Sequence, residues 1–323
     1  MRAAYIETTG GLDVLKIGEQ PKPKPGPNDV LIRVHASCLD RVHVYAREGS
    51  HGMKGVPKPY IAGQDMAGEI VEIGAGAAAT YPDLKIGASV VALGGGAHAE
   101  FAVAPAVMTF PLPPNLDFAQ AAAIPTAGRT AYQSLIHRAR IAPGEDVLVV
   151  AGGSGVGSFG IQIARATGCR VITTVGGQEK MAKALEAGAH AAIDHYKEDV
   201  AARVKALTGG AGVHAVLDHV GTATWESSFA AMRPFGRFVT TGVTAGHKAE
   251  LHLGQLFTKG VELHGIGRPD PAQNRKALGG LLTLVERGQV RPIIHASFPL
   301  EKITEAHQLM ESSAFFGKIV LTL

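Results

Sequence analysis

Five residues, Asp146-Val147-Leu148-Val149-Val150, form a short apolar run, and Ala151-Gly152-Gly153-Ser154-Gly155-Val156-Gly157-Ser158-Phe159-Gly160 follows without a break, opening into a helical pattern from Ile161 to Thr167. Arg170-Val171-Ile172-Thr173-Thr174-Val175 is then a second, β-branched strand. Strand, glycine turn, helix and strand in that order are one βαβ unit of the kind that binds a dinucleotide. A pyrophosphate approaches backbone only where no Cβ intervenes, and the free amides at the start of the following helix then meet its charge. Gly155-x-Gly157-x-x-Gly160 matches the G-x-G-x-x-G pattern, but Gly152-x-Ser154-x-x-Gly157 fits one turn earlier, so two frames stand. In either frame Ser154, Gly155, Val156 and Gly157 are expected to hold the pyrophosphate.

The end of the second strand indicates which dinucleotide. A carboxylate there would bind the ribose hydroxyls of NAD, whereas this chain has Gly176-Gly177-Gln178 with Lys180 close behind. An uncharged turn beside a lysine suits a 2′-phosphate, which makes NADPH the expected cofactor. Gly176, Lys180 and Tyr196 are expected at the adenosine end, and Gly242, Val243 and Gly267 on the nicotinamide side.

At 323 residues the chain is long enough for two domains. No apolar run approaches the ~20 residues that span a bilayer, and the opening Met1-Arg2-Ala3-Ala4-Tyr5-Ile6 reads as a strand, so a cytoplasmic protein is expected. Two cysteines, Cys38 and Cys169, make neither a disulfide framework nor a four-cysteine zinc site. The net charge of +3 is small and dispersed, and no nucleic-acid partner is expected from it.

From Met1 to about Ile124 the sequence is one of short strands cut by turns: Val14 to Ile17, Val30 to His35, Ile61 to Gly74 and Leu84 to Ala92, which suggest a closed or curled barrel. A helical pattern covers Phe118 to His137. After Val175, helices and strands alternate: Lys180 to Ala187, Ala191 to Asp194, Val200 to Thr208, Ala215 to Gly221, Thr224 to Met232, a turn at Pro234-Phe235-Gly236, then Arg237 to Gly242 and Val261 to Gly267. This is the pattern of an α/β fold with a doubly wound parallel sheet, whose ligands sit at the carboxyl ends of the strands. Asn274 to Gly288 is an amphipathic helix, and Phe315 to Leu321 a closing strand.

The order of these parts resembles the medium-chain dehydrogenase/reductase superfamily, in its zinc-free quinone oxidoreductase (zeta-crystallin-like) branch. The marks are Gly63 with Ala67-Gly68-Glu69-Ile70-Val71, then Gly96-Ala97-His98-Ala99-Glu100-Phe101, Gly128-Arg129-Thr130-Ala131-Tyr132, Ala151 to Gly157, Asp218-His219-Val220-Gly221 and Gly317-Lys318-Ile319-Val320. The resemblance implies a GroES-like catalytic domain built from both termini, residues 1–124 and 266–323, around a Rossmann domain at 125–265, with the active site in the cleft between them. It also implies a homodimer formed through Rossmann edge strands near Leu251 to Leu263.

Zinc alcohol dehydrogenases of this superfamily carry a Cys, a His-Glu pair and a further Cys or His around the metal. Those places look here like Asp40, Gln64-Asp65 and Thr126, so no soft ligand remains and no metal site is expected. The quinone-reductase branch usually has an asparagine where this chain has Asp40 and an aspartate where it has His43. The expected activity is NADPH-dependent transfer of hydride to a quinone or to the carbon-carbon double bond of an α,β-unsaturated carbonyl. Such a reaction also needs an oxyanion to be stabilised or protonated, for which Asp40, Tyr45, Thr126 and Arg129 are the candidates. The acceptor pocket is expected to be lined by loops such as Ser50 to Tyr60. The alternatives are a zinc-type alcohol dehydrogenase and a non-catalytic NADPH-binding protein.

Overall fold

The computed structural model describes residues 1–53, 55–267 and 270–323. Its contacts divide the chain into two compact units, residues 1–126 with 271–282 and 292–323, and residues 127–270 with 283–291. The first division falls two residues beyond the boundary expected from sequence. Two returning segments, 266–270 and 283–291, group with the second unit rather than with the first. Hydrogen bonds explain the difference. The Gln162 side-chain amide donates to the Arg291 carbonyl and accepts from the Arg291 N–H, both at 2.9 Å. Arg138 Nη2 likewise donates to the Ile266 carbonyl at 3.1 Å.

The first unit opens with strands β1 (Arg2–Ile6), β2 (Lys16–Glu19), β3 (Asp29–Leu39), β4 (Tyr60–Ile61), β5 (Asp65–Ile73), β6 (Ser89–Leu93), β7 (Phe101–Pro105) and β8 (Thr109–Pro111). Helices α1 (Arg41–Glu48), α2 (Ala75–Thr80) and α3 (Phe118–Ala122) lie among them, and α4 (Pro125–Tyr132) follows. Among the described residues β1 pairs β2 and β4, while β3 is the hub of a larger sheet, antiparallel to β5 and to β7. The register of β3 against β5 shifts twice, and shifts of this kind bend a strand and let a sheet curl. Val30, Ile32 and Val34 pack with Met66, Ile70 and Val90 on one face of β3, and Leu39 packs on the other with Val44 and residues from the C-terminus. The strand expected at Val14 to Ile17 begins later, because Leu12–Val14 close a 3-10 turn first. The helix expected from Phe118 to His137 is broken at Pro125, a residue suited to a first helical turn, and ends in a π-helical stretch over Gln133–Arg138.

The second unit holds β9 (Asp146–Val149), α5 (Gly155–Ala166), β10 (Arg170–Val175), α6 (Gln178–Glu186), β11 (Ala191–Asp194), α7 (Val200–Leu207), β12 (Val213–Asp218), α8 (Thr222–Ala230), β13 (Met232–Thr240), α9 (Leu253–Lys259) and β14 (Glu262–Gly265). Its strands are parallel in the order β11-β10-β9-β12-β13-β14. A parallel sheet covered on both faces needs strands that are apolar throughout, and Val147, Leu148 and Val149 of β9 are all fully buried. Leu148, Ile172, Ile193 and Val216 pack there with Phe229 and Phe238. The turn expected at Pro234-Phe235-Gly236 lies instead inside β13, where Phe235 adopts φ +61° and the register against β12 shifts.

After α10 (Pro271–Glu286) the chain returns to the first unit with β15 (Ile294–Pro299), α11 (Ile303–Ser312) and β16 (Lys318–Thr322). β16 pairs β3 antiparallel and β15 parallel, which carries Lys318 to the end of β3 where Leu39 leads into Asp40.

Candidate active site

Chain order places the reversal of the Rossmann sheet between β9 and β12, since β10 and β11 run out on one side of β9 while β12 and β13 run out on the other. Ligands of open α/β sheets bind at that point. The turn after β9 is strapped to β10, with the Ala151 N–H donating to Thr174 Oγ1 at 3.0 Å and the Gly152 N–H to the Thr174 carbonyl at 2.9 Å. A Cβ on Gly152 would come within 2.2 Å of Thr173 Oγ1, and one on Gly157 within 2.3 Å of the Ala151 carbonyl. Helix α5 therefore lies too close to the turn for any side chain at either place. Ser154 is its N-cap and accepts from the Gly157 N–H at 2.9 Å. The turn thus uses Gly152, Ser154 and Gly157, the cap takes up the Gly157 amide, and Gly160 of the other frame is close-packed too, the place of its Cβ lying 2.8 Å from Leu217 Cδ2.

Facing this turn across the reversal is the end of β12. Buried Asp218 accepts from the Val220 and Gly221 N–H groups and from Thr224 Oγ1, at 2.7, 3.1 and 2.6 Å, which folds the chain into a tight loop. The loop after β13 packs on it, for a Cβ on Gly221 would come within 2.1 Å of the Gly246 carbonyl and 3.2 Å of Val243 Cα. Gly242 is also close, with the place of its Cβ 2.8 Å from the His219 carbonyl. Gly267 follows β14, the outermost strand, so two strands separate it from the reversal. At the far end of β10, a Cβ on Gly176 would meet the Tyr196 ring at 2.5 Å; that ring is 79% exposed and 4.3 Å from His195. Lys180 sits in the first turn of α6, where burial lowers its pKa from the ordinary lysine value, with Glu179 opposing.

In the first unit, two of the four expected catalytic residues come together around two that sequence reasoning passed over. Asp40 caps α1, and its N–H donates to His43 Nδ1 at 3.0 Å. The ammonium of Lys318, buried on β16, donates to Asp40 Oδ1. Asp65, fully buried at the start of β5, accepts from the Thr126 N–H at 3.0 Å through both oxygens and from the Thr126 hydroxyl at 2.5 Å. Burial and the Asp40 charge push the Asp65 carboxyl up to about 7, against the opposing pull of Lys318 and Thr126. Burial alone would lower Lys318, yet Asp40, Cys38 and Asp65 hold it well above the ordinary lysine value.

The other two candidates stand elsewhere. Tyr45 lies on α1 with its ring stacked on His51, centroids 3.8 Å apart. Arg129 belongs to the second unit, where Nη1 donates to Gln133 Oε1 at 3.4 Å. The loop expected to line the acceptor pocket, residues 50–60, includes Lys54, which lies outside the described residues. Lys318 had been visible in sequence only as part of Gly317-Lys318-Ile319-Val320; nothing local linked it to Asp40, 278 residues away. Among the described residues, no group of three or more His, Cys, Asp or Glu is placed to hold a metal ion.

A parallel sheet with a glycine turn at its reversal, joined in one chain to an antiparallel β-rich unit, defines a dehydrogenase/reductase. The alcohol dehydrogenase GroES-like domain family matches residues 26–114, and the zinc-binding dehydrogenase family matches residues 155–283. The quinone oxidoreductase of Rattus norvegicus is 32% identical over 327 residues, covering 100% of this chain and 98% of its own length. Among solved structures, an NAD-dependent alcohol dehydrogenase superposes with a TM-score of 0.91 at 31% identity, and a mycobacterial protein complexed with NADPH does so with 0.91 at 30%, each covering 100% of both chains. The chain belongs to the medium-chain dehydrogenase/reductase superfamily, among its quinone oxidoreductase-like members.

Proposed function

We propose that this oxidoreductase uses NADPH to reduce a quinone, or the carbon-carbon double bond of an α,β-unsaturated carbonyl, with no zinc in the reaction. The observation that carries this reading is the capped glycine turn at the reversal of the parallel sheet, with an uncharged turn, Lys180 and Tyr196 at the end of the neighbouring strands. The quinone oxidoreductases among the relatives, and the NADPH bound to the mycobacterial neighbour, support it. Gly155 and Val156 present amides to the pyrophosphate, Ser154 and Gly157 shape the turn, and Gly176, Lys180 and Tyr196 receive the 2′-phosphate end. Gly242 and Val243 border the nicotinamide side; Gly267, out on the edge strand, has the weakest support. When bound, NADPH supplies the hydride.

The residues around Asp40 do not fit zinc. A zinc ion there would face the Lys318 ammonium that Asp40 already neutralises, and the Asp65 oxygens are engaged by Thr126. Like charges at such a distance in a buried site are strongly unfavourable. Tyr45 and Arg129 serve as acceptor-side residues in the same reading. The chain forms a homodimer through β14 and α9, where Leu253 is 69% and Phe257 86% exposed beside an edge strand.

The test is to follow NADPH oxidation with a panel of quinones and enones, and NADP+ reduction with simple alcohols. Consumption with the first two and none with alcohols is expected. Tight NADPH binding without consumption by any acceptor would overturn the catalytic reading. Stoichiometric zinc in purified protein would overturn the metal-free one.

A further inference from the structure

Three groups in the first unit have no part in holding the cofactor and yet are built around one another: Lys318, Asp65 and the Thr126 hydroxyl. Asp65 has no exposed surface, and the hydroxyl hydrogen-bonded to it belongs to Thr126, which is partly exposed. Thr126 is at the N-terminal turn of α4, and it is bound to Asp65 by both its N–H and its O–H. A buried carboxyl hydrogen-bonded to a partly exposed hydroxyl has a partner through which a proton can pass outward.

We propose that Asp65 and Thr126 form a proton relay, with Asp65 as the store and the Thr126 hydroxyl as the outlet that protonates the reduced acceptor. The inference rests on the reductase reading above and adds two residues to it, Asp65 as acid and Lys318 as positioning residue. After hydride has been gained by the acceptor, negative charge rests on the acceptor oxygen. The Thr126 O–H bond breaks as an O–H bond forms on the acceptor; the Asp65 O–H bond breaks as the Thr126 O–H bond is restored. Asp65 is left as a carboxylate. The electron pairs stay on the oxygens that lose protons, and one proton from solvent, entering through Thr126 after product has left, returns the site to its starting state.

The surroundings suit such a store. Asp40 from the end of β3 raises the cost of ionising Asp65, while Lys318 from β16 and the Thr126 N–H from α4 lower it, and their balance puts the carboxyl at about 7. Cys38 on β3 is buried and its thiol is pushed far up by that burial, so it stays protonated and uncharged. His43 on α1 and His98, on the loop before β7, are also buried, and burial keeps both neutral near pH 7, with His98 and Lys318 lowering His43 further. Two carboxylates and one ammonium therefore carry one negative charge when Asp65 is ionised and none when it is protonated. Lys318 holds Asp40 in place through its ammonium, and Asp65 is the carboxyl that burial and the Asp40 charge push upward.

The experiment compares wild type with Asp65→Asn, Thr126→Val and Thr126→Ser, reading NADPH binding, the pH profile of kcat and the solvent isotope effect. Infrared titration of the cofactor-free protein supplies a reading independent of turnover. Thr126→Val is expected to lower kcat by about 100-fold and remove the solvent isotope effect while NADPH still binds; Thr126→Ser is expected to restore most of both. Wild-type kcat is expected to fall as pH rises through about 7, and Asp65→Asn to abolish that limb. The infrared titration is expected to show a buried carboxylic acid losing its proton near neutrality, absent from Asp65→Asn. Should Asp65→Asn fail to fold, the Thr126 pair and the wild-type infrared titration decide. Turnover by wild type with Thr126→Val unimpaired would overturn the relay and leave the reductase reading standing. No turnover by wild type with any quinone or enone would overturn both.

Discussion

Gly157 shows how narrowly single residues bound the nucleotide turn. Gly157→Ala would place a methyl group 2.3 Å from the Ala151 carbonyl, and backbone cannot yield as a side-chain end would. A cost of about 1–3 kcal/mol in stability is expected, with a weaker Kd for NADPH by fluorescence titration, because the turn that presents the amides must open. At the other end of the dinucleotide, Lys180→Ala is expected to raise the KM for NADPH by about 10-fold and to leave that for NADH unchanged, the difference being one charge-assisted contact to the 2′-phosphate. Lys318→Met would leave the nearly buried Asp40 carboxylate without its cation, at a cost of about 3–5 kcal/mol measured by urea unfolding.

At the scale of elements, α1, α11 and the loop before β7 bring His43, His307 and His98 into one buried group around a small cavity shared with Tyr5, Arg47 and Tyr60. Burial, with the neighbouring positive groups, pushes His307 down to about 2; burial pushes His98 down to about 4. Below the ordinary histidine value of about 6.5 the unfolded chain binds protons that the folded chain refuses. Stability from these groups is therefore intact above pH 6.5 and drains away as the pH falls toward 4. His98 alone accounts for roughly 3 kcal/mol over that window. Thermal melts from pH 7 to pH 4 should show the loss, and His98→Asn should remove the share that His98 contributes while His43 and His307 still lower stability in acid. β9 is the central element of the other unit, and Leu148→Ala there should cost about 2–5 kcal/mol, since the fully buried side chain has no room to be replaced by movement of its neighbours.

For the whole molecule, NADPH at 100 times its Kd should stabilise the folded chain by about 2.7 kcal/mol, read as a rise in Tm that NADH at the same concentration does not match. The proposed homodimer has its own test: sedimentation should find a dimer for the wild type and a monomer for Phe257→Asp, which places a charge on the exposed apolar face of α9, with NADPH binding unaltered. The second unit was largely legible in the sequence, because β9, β10, β11 and β12 are short apolar runs, each with a helix following within a few residues. The first was legible only as strands and turns. β7 pairs with β3, far back in the chain, and β8 is only three residues long, so no local pattern distinguishes either strand from loop.

The amino-acid sequence by itself determined the nucleotide turn and the alternation that builds a parallel sheet around it. These are local matters: which positions lack a Cβ and which runs are apolar. Tertiary structure alone decided that residues 283–291 return to the Rossmann unit, that Lys318 meets Asp40 and that Thr126 binds Asp65. Each of those depends on groups distant in the chain, where electrostatic and packing energies arise from distance in space and leave no periodic trace in the order of residues.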